Sequence, residues 1–214
     1  MIFRRTRIFI FSLVLLLAFF PLIASAQDQT SKASLSYENE AMGVKIIGPE
    51  GWFINSGDKV QKAAAKSINE LTSLESIKEA VKKAGILVMF SEYQFGSPVE
   101  YNPSLVLVTE PIPVGYIKNS LDLASASLIN IRTIFKDVKV IVEPKEYKIG
   151  TRDAAHFVYE GTIVRGYLEM RIKSSVYLSL KDNIGYTLSC TDKVEHYSKN
   201  AAKFEVAASS FIIK

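Results

Sequence analysis

The sequence is poor in the residues from which most chemical sites are assembled. Its 214 residues include one cysteine, Cys190, and two histidines, His156 and His196. A single cysteine excludes any disulfide framework within the chain. In GYTLSC it shares one side of an alternating run with Tyr186 and Leu188, the pattern of a buried thiol. The histidines lie far apart in sequence, so no H-E-x-x-H or similar metal spacing exists. A metal site would need the fold to join both to a carboxylate such as Asp153 or Asp192. Paired-cysteine metal signatures, the G-x-S-x-G elbow and both glycine-rich phosphate loops are absent too. These gaps leave a metal-dependent or hydrolytic envelope enzyme as the alternative reading. No catalytic, cofactor-binding or metal residue is assigned, and no cofactor is expected.

Charge of one sign is also scarce. The formal net charge is +4, but Arg4, Arg5 and Arg7 supply three of those charges at the extreme N-terminus. The remainder is nearly balanced, and Arg165, Tyr167, Arg171 and Lys173 are interrupted by Glu169. A nucleic-acid surface needs a continuous basic stripe, so none is expected.

What is present begins with a leader. Residues 1–26, MIFRRTRIFIFSLVLLLAFFPLIASA, join the basic start to an apolar run and end on Ala24-Ser25-Ala26, an A-x-A-like processing site. The expectation is an exported protein, periplasmic or secreted, with an uncleaved N-terminal membrane anchor as the alternative. Cys190 is remote from the leader, so lipid attachment is not expected. Residues 27–36 read as a flexible polar exit, and residues 37–214 as one domain.

Within that domain, YENEAMGVKIIGPEGWF predicts a short strand, a turn at Gly48-Pro49 and a packed Trp52. From Asp58 to Ala84, Val60, Ala64, Ile68 and Leu71 mark one helical face. Leu74, Ile77, Val81 and Ala84 mark a second, and the capping-box spacing of Thr72 and Glu75 predicts a break between them. Lys59, Lys62, Lys66, Lys78, Lys82 and Lys83 offer a basic side for peripheral membrane association. Glu70, Glu75 and Glu79 make a solvated face the simpler reading. ILVMFSEYQF and PSLVLVTEPI read as strands, and a second helix spans Asn119 to Phe135. VKVIVEPKEYKIG returns to extended structure, with Pro144 at an edge.

His156 falls in the next strand, on the face opposite Ala155, Phe157 and Tyr159. Val164, Leu168, Met170 and Ile172 then appear to the period rule as one alternating side that continues through Val176, Leu178 and Leu180. Asp182, Asn183 and Gly185 predict a turn, and the tail a short helix from His196 to Phe204 followed by a docked strand.

These landmarks, MGVKIIGPEGW, GTRDAAHFVYEG, Gly185-Tyr186-Thr187-Leu188 and the terminal SSF, resemble a PsbP-like domain of the broader Mog1/PsbP/DcrB-like group over residues 37–213. The resemblance implies an α+β sandwich, a curved antiparallel sheet packed by helices. It also implies a binding or assembly role rather than a shared reaction. In that group the PsbP branch acts at the oxygen-evolving side of photosystem II, and the Mog1 branch binds a small GTPase. Bacterial relatives include envelope proteins. An exported chain does not fit the nuclear GTPase role, and a photosystem II accessory role is the alternative. The main expectation is a non-catalytic extracytoplasmic binding or accessory protein that presents a rigid surface to an envelope or secreted protein partner. Arg165, Tyr167 and Arg171 are the candidate contacts, and the pattern specifies no oligomeric state.

Overall fold

The computed structural model describes residues 35–71, 84–94, 97–165 and 168–214. The leader, the expected helix break at Thr72 and the candidate contact Tyr167 lie outside the described residues.

Long alternating runs separated by tight turns produce the dominant element. Strands β6 (Lys136–Ile149), β7 (Arg152–Arg165) and β8 (Leu168–Lys181) are each 14 residues long, and β9 (Ile184–Lys193) has ten. Asp182 and Asn183 both take positive φ, 51° and 59°. That is the backbone a two-residue hairpin loop needs to match strand twist, and Asp and Asn tolerate it better than bulky residues. With β3 (Phe53–Ser56), β4 (Gly85–Ser91) and β5 (Ser104–Pro111), these strands form a seven-stranded sheet in the order β3-β4-β5-β9-β8-β7-β6, every neighbouring pair antiparallel. Strands β1 (Ser36–Asn39), β2 (Val44–Ile47) and β10 (Ile212–Ile213) form a separate small sheet.

Both faces of the large sheet are apolar over much of their area, so both require a cover. Helix α2 (Ser120–Ile134) lies on one face, where Leu123, Ala124, Leu128 and Ile131 bury against Phe157, Tyr159, Ile172 and Leu178. Its start is set by Asn119, whose side-chain oxygen accepts the Asp122 N–H at 2.8 Å, an N-cap worth about 1 kcal/mol. Over the other face, Leu105, Tyr177, Leu188 and Cys190 pack against Val44 and Ile46 of the small sheet, against Trp52, and against Phe204 of helix α3 (Tyr197–Ser209). Helix α1 (Gly57–Leu71) packs on β4 and β3 and buries Val60, Ala63 and Ala64. It starts so close to the sheet that a Cβ on Gly57 would lie 1.8 Å from the Ile86 carbonyl oxygen. Among the described residues no helix is long and apolar enough to cross a membrane.

The expected alternation holds for His156 and its neighbours. Ala155, Phe157 and Tyr159 are fully buried on the α2 side, and Ala154 belongs to the opposite cluster. One expectation needs correction. Residues 164–172 do not form one strand, because the chain reverses between Arg165 and Leu168. A connection of two residues exchanges parity, so Val164 pairs with Glu169, while Met170 and Ile172 pack toward α2. The period-two rule counts residues and does not detect a reversal.

The free edges are protected. Strand β6 carries Pro144 and several register irregularities against β7, features that discourage an incoming strand. At the other edge β3 is only four residues long.

Candidate functional site

Direct cross-strand partners share a face, and the register places Lys139 opposite Glu160, Glu160 opposite Lys173, and Lys173 opposite Asp192. Four strands thus contribute a row of alternating charge on the face remote from α2. Arg171 joins it diagonally, its guanidinium donating to Glu160 Oε2 at 2.9 Å. The Lys173 ammonium sits 5.0 Å from the centre of the Tyr197 ring, within the range of a cation–π contact.

At the Asp192 end the row runs into a cleft of about 370 Å³. Its walls come from the connection between β4 and β5 (Glu92, Tyr93, Tyr101), the end of β9 (Asp192) and the first turns of α3 (His196, Asn200). The β4–β5 connection is held from within. Asn102 accepts from Tyr93 N at 3.0 Å and donates to Tyr93 O at 2.8 Å, while Glu92 N donates to Pro103 O at 3.0 Å.

Asn200 organises the floor. Its side-chain nitrogen donates to Asp192 Oδ2 at 2.9 Å and to Glu92 Oε2 at 3.2 Å. Asp192 also accepts from Lys193 N at 2.7 Å, yet it is wholly buried, and no ion pair to it forms among the described residues. Burial therefore pushes its carboxyl pKa upward and Glu92 adds to this. The bonds from Asn200 and Lys193 N, and the nearby His196, pull it partly back.

His156 packs in an aromatic stack beside a serine. Its Nε2 lies 2.8 Å from Ser175 Oγ, its ring stacks on Tyr177 at 4.6 Å between centroids, and Tyr147 closes a third side at 5.7 Å. Burial, aided by the charge of Lys145, lowers its pKa to about 4, so the ring is neutral at pH 7. The folded pKa lies below the unfolded value of about 6.5. The neutral-ring stability is complete above that value and is lost as pH falls toward 4. Solvent at the half-exposed ring reduces the full linkage effect to about 1–2 kcal/mol. Replacing His156 with asparagine should flatten this part of the profile in urea titrations between pH 4 and 6.5.

The other sequence-flagged groups separate in space. His196 and Asp192 share the cleft, whereas His156 belongs to the aromatic stack and Asp153 is exposed and paired with Lys148. Among the described residues no three His, Cys, Asp or Glu side chains converge as a metal would require. Cys190 is fully buried, and burial pushes its thiol pKa far up, which suppresses the reactive thiolate. Arg165 stands opposite Leu168 and Arg171 opposite Thr162, positions of alternate parity. Only Arg171 therefore falls on the charged row. Sequence reasoning missed Glu92 and Asn200; the one signal available was the polar Thr191-Asp192 pair near the end of a buried strand.

The architecture is that of a mixed α/β sandwich, with antiparallel sheets packed by helices, of the Mog1/PsbP-like type. Among solved structures, the chain is similar to cyanobacterial PsbP (CyanoP) from Synechocystis sp. PCC 6803, with a TM-score of 0.51 and 12% identity over 90% of this chain and 99% of that one. It is also similar to LpqN, involved in cell envelope biogenesis of Mycobacterium tuberculosis, with a TM-score of 0.47 and 8% identity over 85% and 86%. At such identities the likeness describes the fold alone. No protein-family model and no curated protein sequence matches the chain.

Proposed function

We propose that this is an exported, non-catalytic binding or accessory protein that docks an envelope or secreted protein partner on the charged end of its sandwich. The leader-like residues 1–26 support export. The observation that carries the docking site is the uneven covering of the sheet face remote from α2. Near Ala154 and Tyr177 that face is sealed by the small sheet and α3. Toward the end of β7 it is open, and Val164, 48% exposed, stands opposite the exposed Glu169 and close to the exposed Arg171. An apolar residue within a charged rim is the usual anatomy of a protein contact. The non-catalytic part is supported by His156 and Cys190, two of the groups suited to nucleophilic or base chemistry. His156, its pKa lowered to about 4, is a weak proton acceptor enclosed in a stack, and Cys190 is sealed in the core. A likeness of 12% identity carries no partner with it, so a photosystem II role gains no support from any residue described here.

A photo-crosslinking amino acid at Val164, introduced in the native host, should capture a discrete protein partner. The same probe at Ile129, 62% exposed on α2, should not. Equal capture at both positions, or none at Val164, would sink the docking assignment.

A further inference from the structure

The cleft beside the docking face has a floor built almost entirely from acceptors. Asp192 is wholly buried, the Glu92 side chain is 18% exposed, and Asn200 is 1% exposed. The Asn200 side-chain nitrogen already serves both carboxylates, which fixes the orientation of the amide. Its oxygen, Oδ1, is buried with no hydrogen-bond partner in the structure. A buried acceptor left unpaired is destabilising, so the native protein has reason to gain a donor there. Each of the two lysines of the lining pairs with a carboxylate of the lining, and among the described residues neither forms an ion pair with Asp192. Lys193 Nζ pairs with the exposed Glu100 at 2.7 Å, and Lys199, 70% exposed, reaches Glu92 at 3.4 Å. The lining holds three carboxylates against two lysines. Tyr93 and Tyr101 add aromatic surface, which favours a cation further. No three potential metal ligands converge there among the described residues, whereas an ammonium group requires only acceptors at hydrogen-bond distance and carries three donors.

We propose that this cleft binds a primary ammonium group, met by Glu92, Asp192 and the unpartnered oxygen of Asn200. This deepens the docking reading and rests on it. The cleft opens at the end of the row Lys139-Glu160-Lys173-Asp192, on the same face as Val164 and Arg171. A lysine side chain or free N-terminus of the docked partner can therefore enter while the partner covers Val164. A free alkylamine presents the same chemistry.

The test is titration of the full chain, followed by ¹⁵N-resolved NMR, with three probes: n-butylammonium chloride, the peptide acetyl-Gly-Lys-Gly-amide, and the same peptide acetylated on its lysine. The side-chain NH₂ of Asn200 and the backbone of Tyr93 and Lys193 should shift with the first two and not with the third. Glu92→Gln should weaken binding about tenfold, the loss of one charge-assisted bond. Glu100→Gln, at the exposed rim, supplies a second variant if Glu92→Gln unfolds. It should lower affinity less while leaving the shift pattern unchanged. Tighter binding of the peptide than of butylammonium assigns the site to a protein side chain; equal binding assigns it to a free amine. Unchanged cleft resonances at millimolar amine, or equal binding of the acetylated peptide, would overturn the proposal. Capture from Val164 would be untouched by that failure, so the two readings fall separately.

Discussion

Replacing Phe204 with alanine is expected to lower the free energy of unfolding by about 3–5 kcal/mol, the usual cost of emptying a buried aromatic site. Phe204 is 1% exposed and meets Trp52 edge-to-face at 5.7 Å and Tyr197 at 5.5 Å. It is the largest side chain that α3 buries, and Ala207 and Ala208 beside it are too small to hold the helix alone. Because α3 also brings His196 and Asn200 to the cleft, the loss should reach the site. Loosening the helix withdraws the amide that bridges Asp192 and Glu92, and two carboxylates in a half-buried setting then repel without a shared donor. Urea melts give the stability change. The chain has one tryptophan, so a red shift of Trp52 emission reports the opened contact directly. A variant with wild-type midpoint and unshifted emission would show that α3 is held by something other than this aromatic cluster.

The second large effect runs in the opposite direction. Glu110, near the end of β5, is only partly exposed, and burial raises its pKa to about 8 from an ordinary value of 4.5. No hydrogen bond or ion pair to its carboxylate is seen among the described residues, so nothing offsets the desolvation of the charge. The folded state holds this proton more tightly than the unfolded state. The associated stability is therefore complete below about pH 4.5 and is lost as pH rises through about 8. The loss is on the order of 4 kcal/mol by pH 8. Glu110→Gln should remove that slope. Its stability relative to wild type should improve by about 4 kcal/mol between pH 4.5 and pH 8, whatever constant offset the amide introduces. Denaturant midpoints at those two pH values check it, and parallel profiles for the two proteins would refute it. His156 acts with the opposite sign between pH 4 and 6.5. In that window the wild-type slope is a difference of two terms, and single variants are needed to separate them.

Sequence alone was sufficient for much of the architecture. The period-two run through Ala155, Phe157 and Tyr159 placed those rings on one face because side-chain direction along a strand is a local property. The same holds for the buried Cys190 and for the helix that starts at Asn119. Local rules failed where the chain turns back on itself. Val164 changes sides because two residues of connection reverse parity, and Arg165 and Arg171 separate for the same reason. The cleft was illegible for a different reason. Glu92, Asp192 and Asn200 come from a loop, a strand end and a helix start, and no spacing rule relates them. What unites them is a nonlocal strand order that sets β5 beside β9, together with Phe204 pinning α3 over that seam. Amino-acid order thus determined which faces must be buried, because hydrophobic patterning is written residue by residue. Only tertiary packing decided which polar groups would be trapped together without enough partners, because that depends on segments meeting in space after the apolar faces have closed.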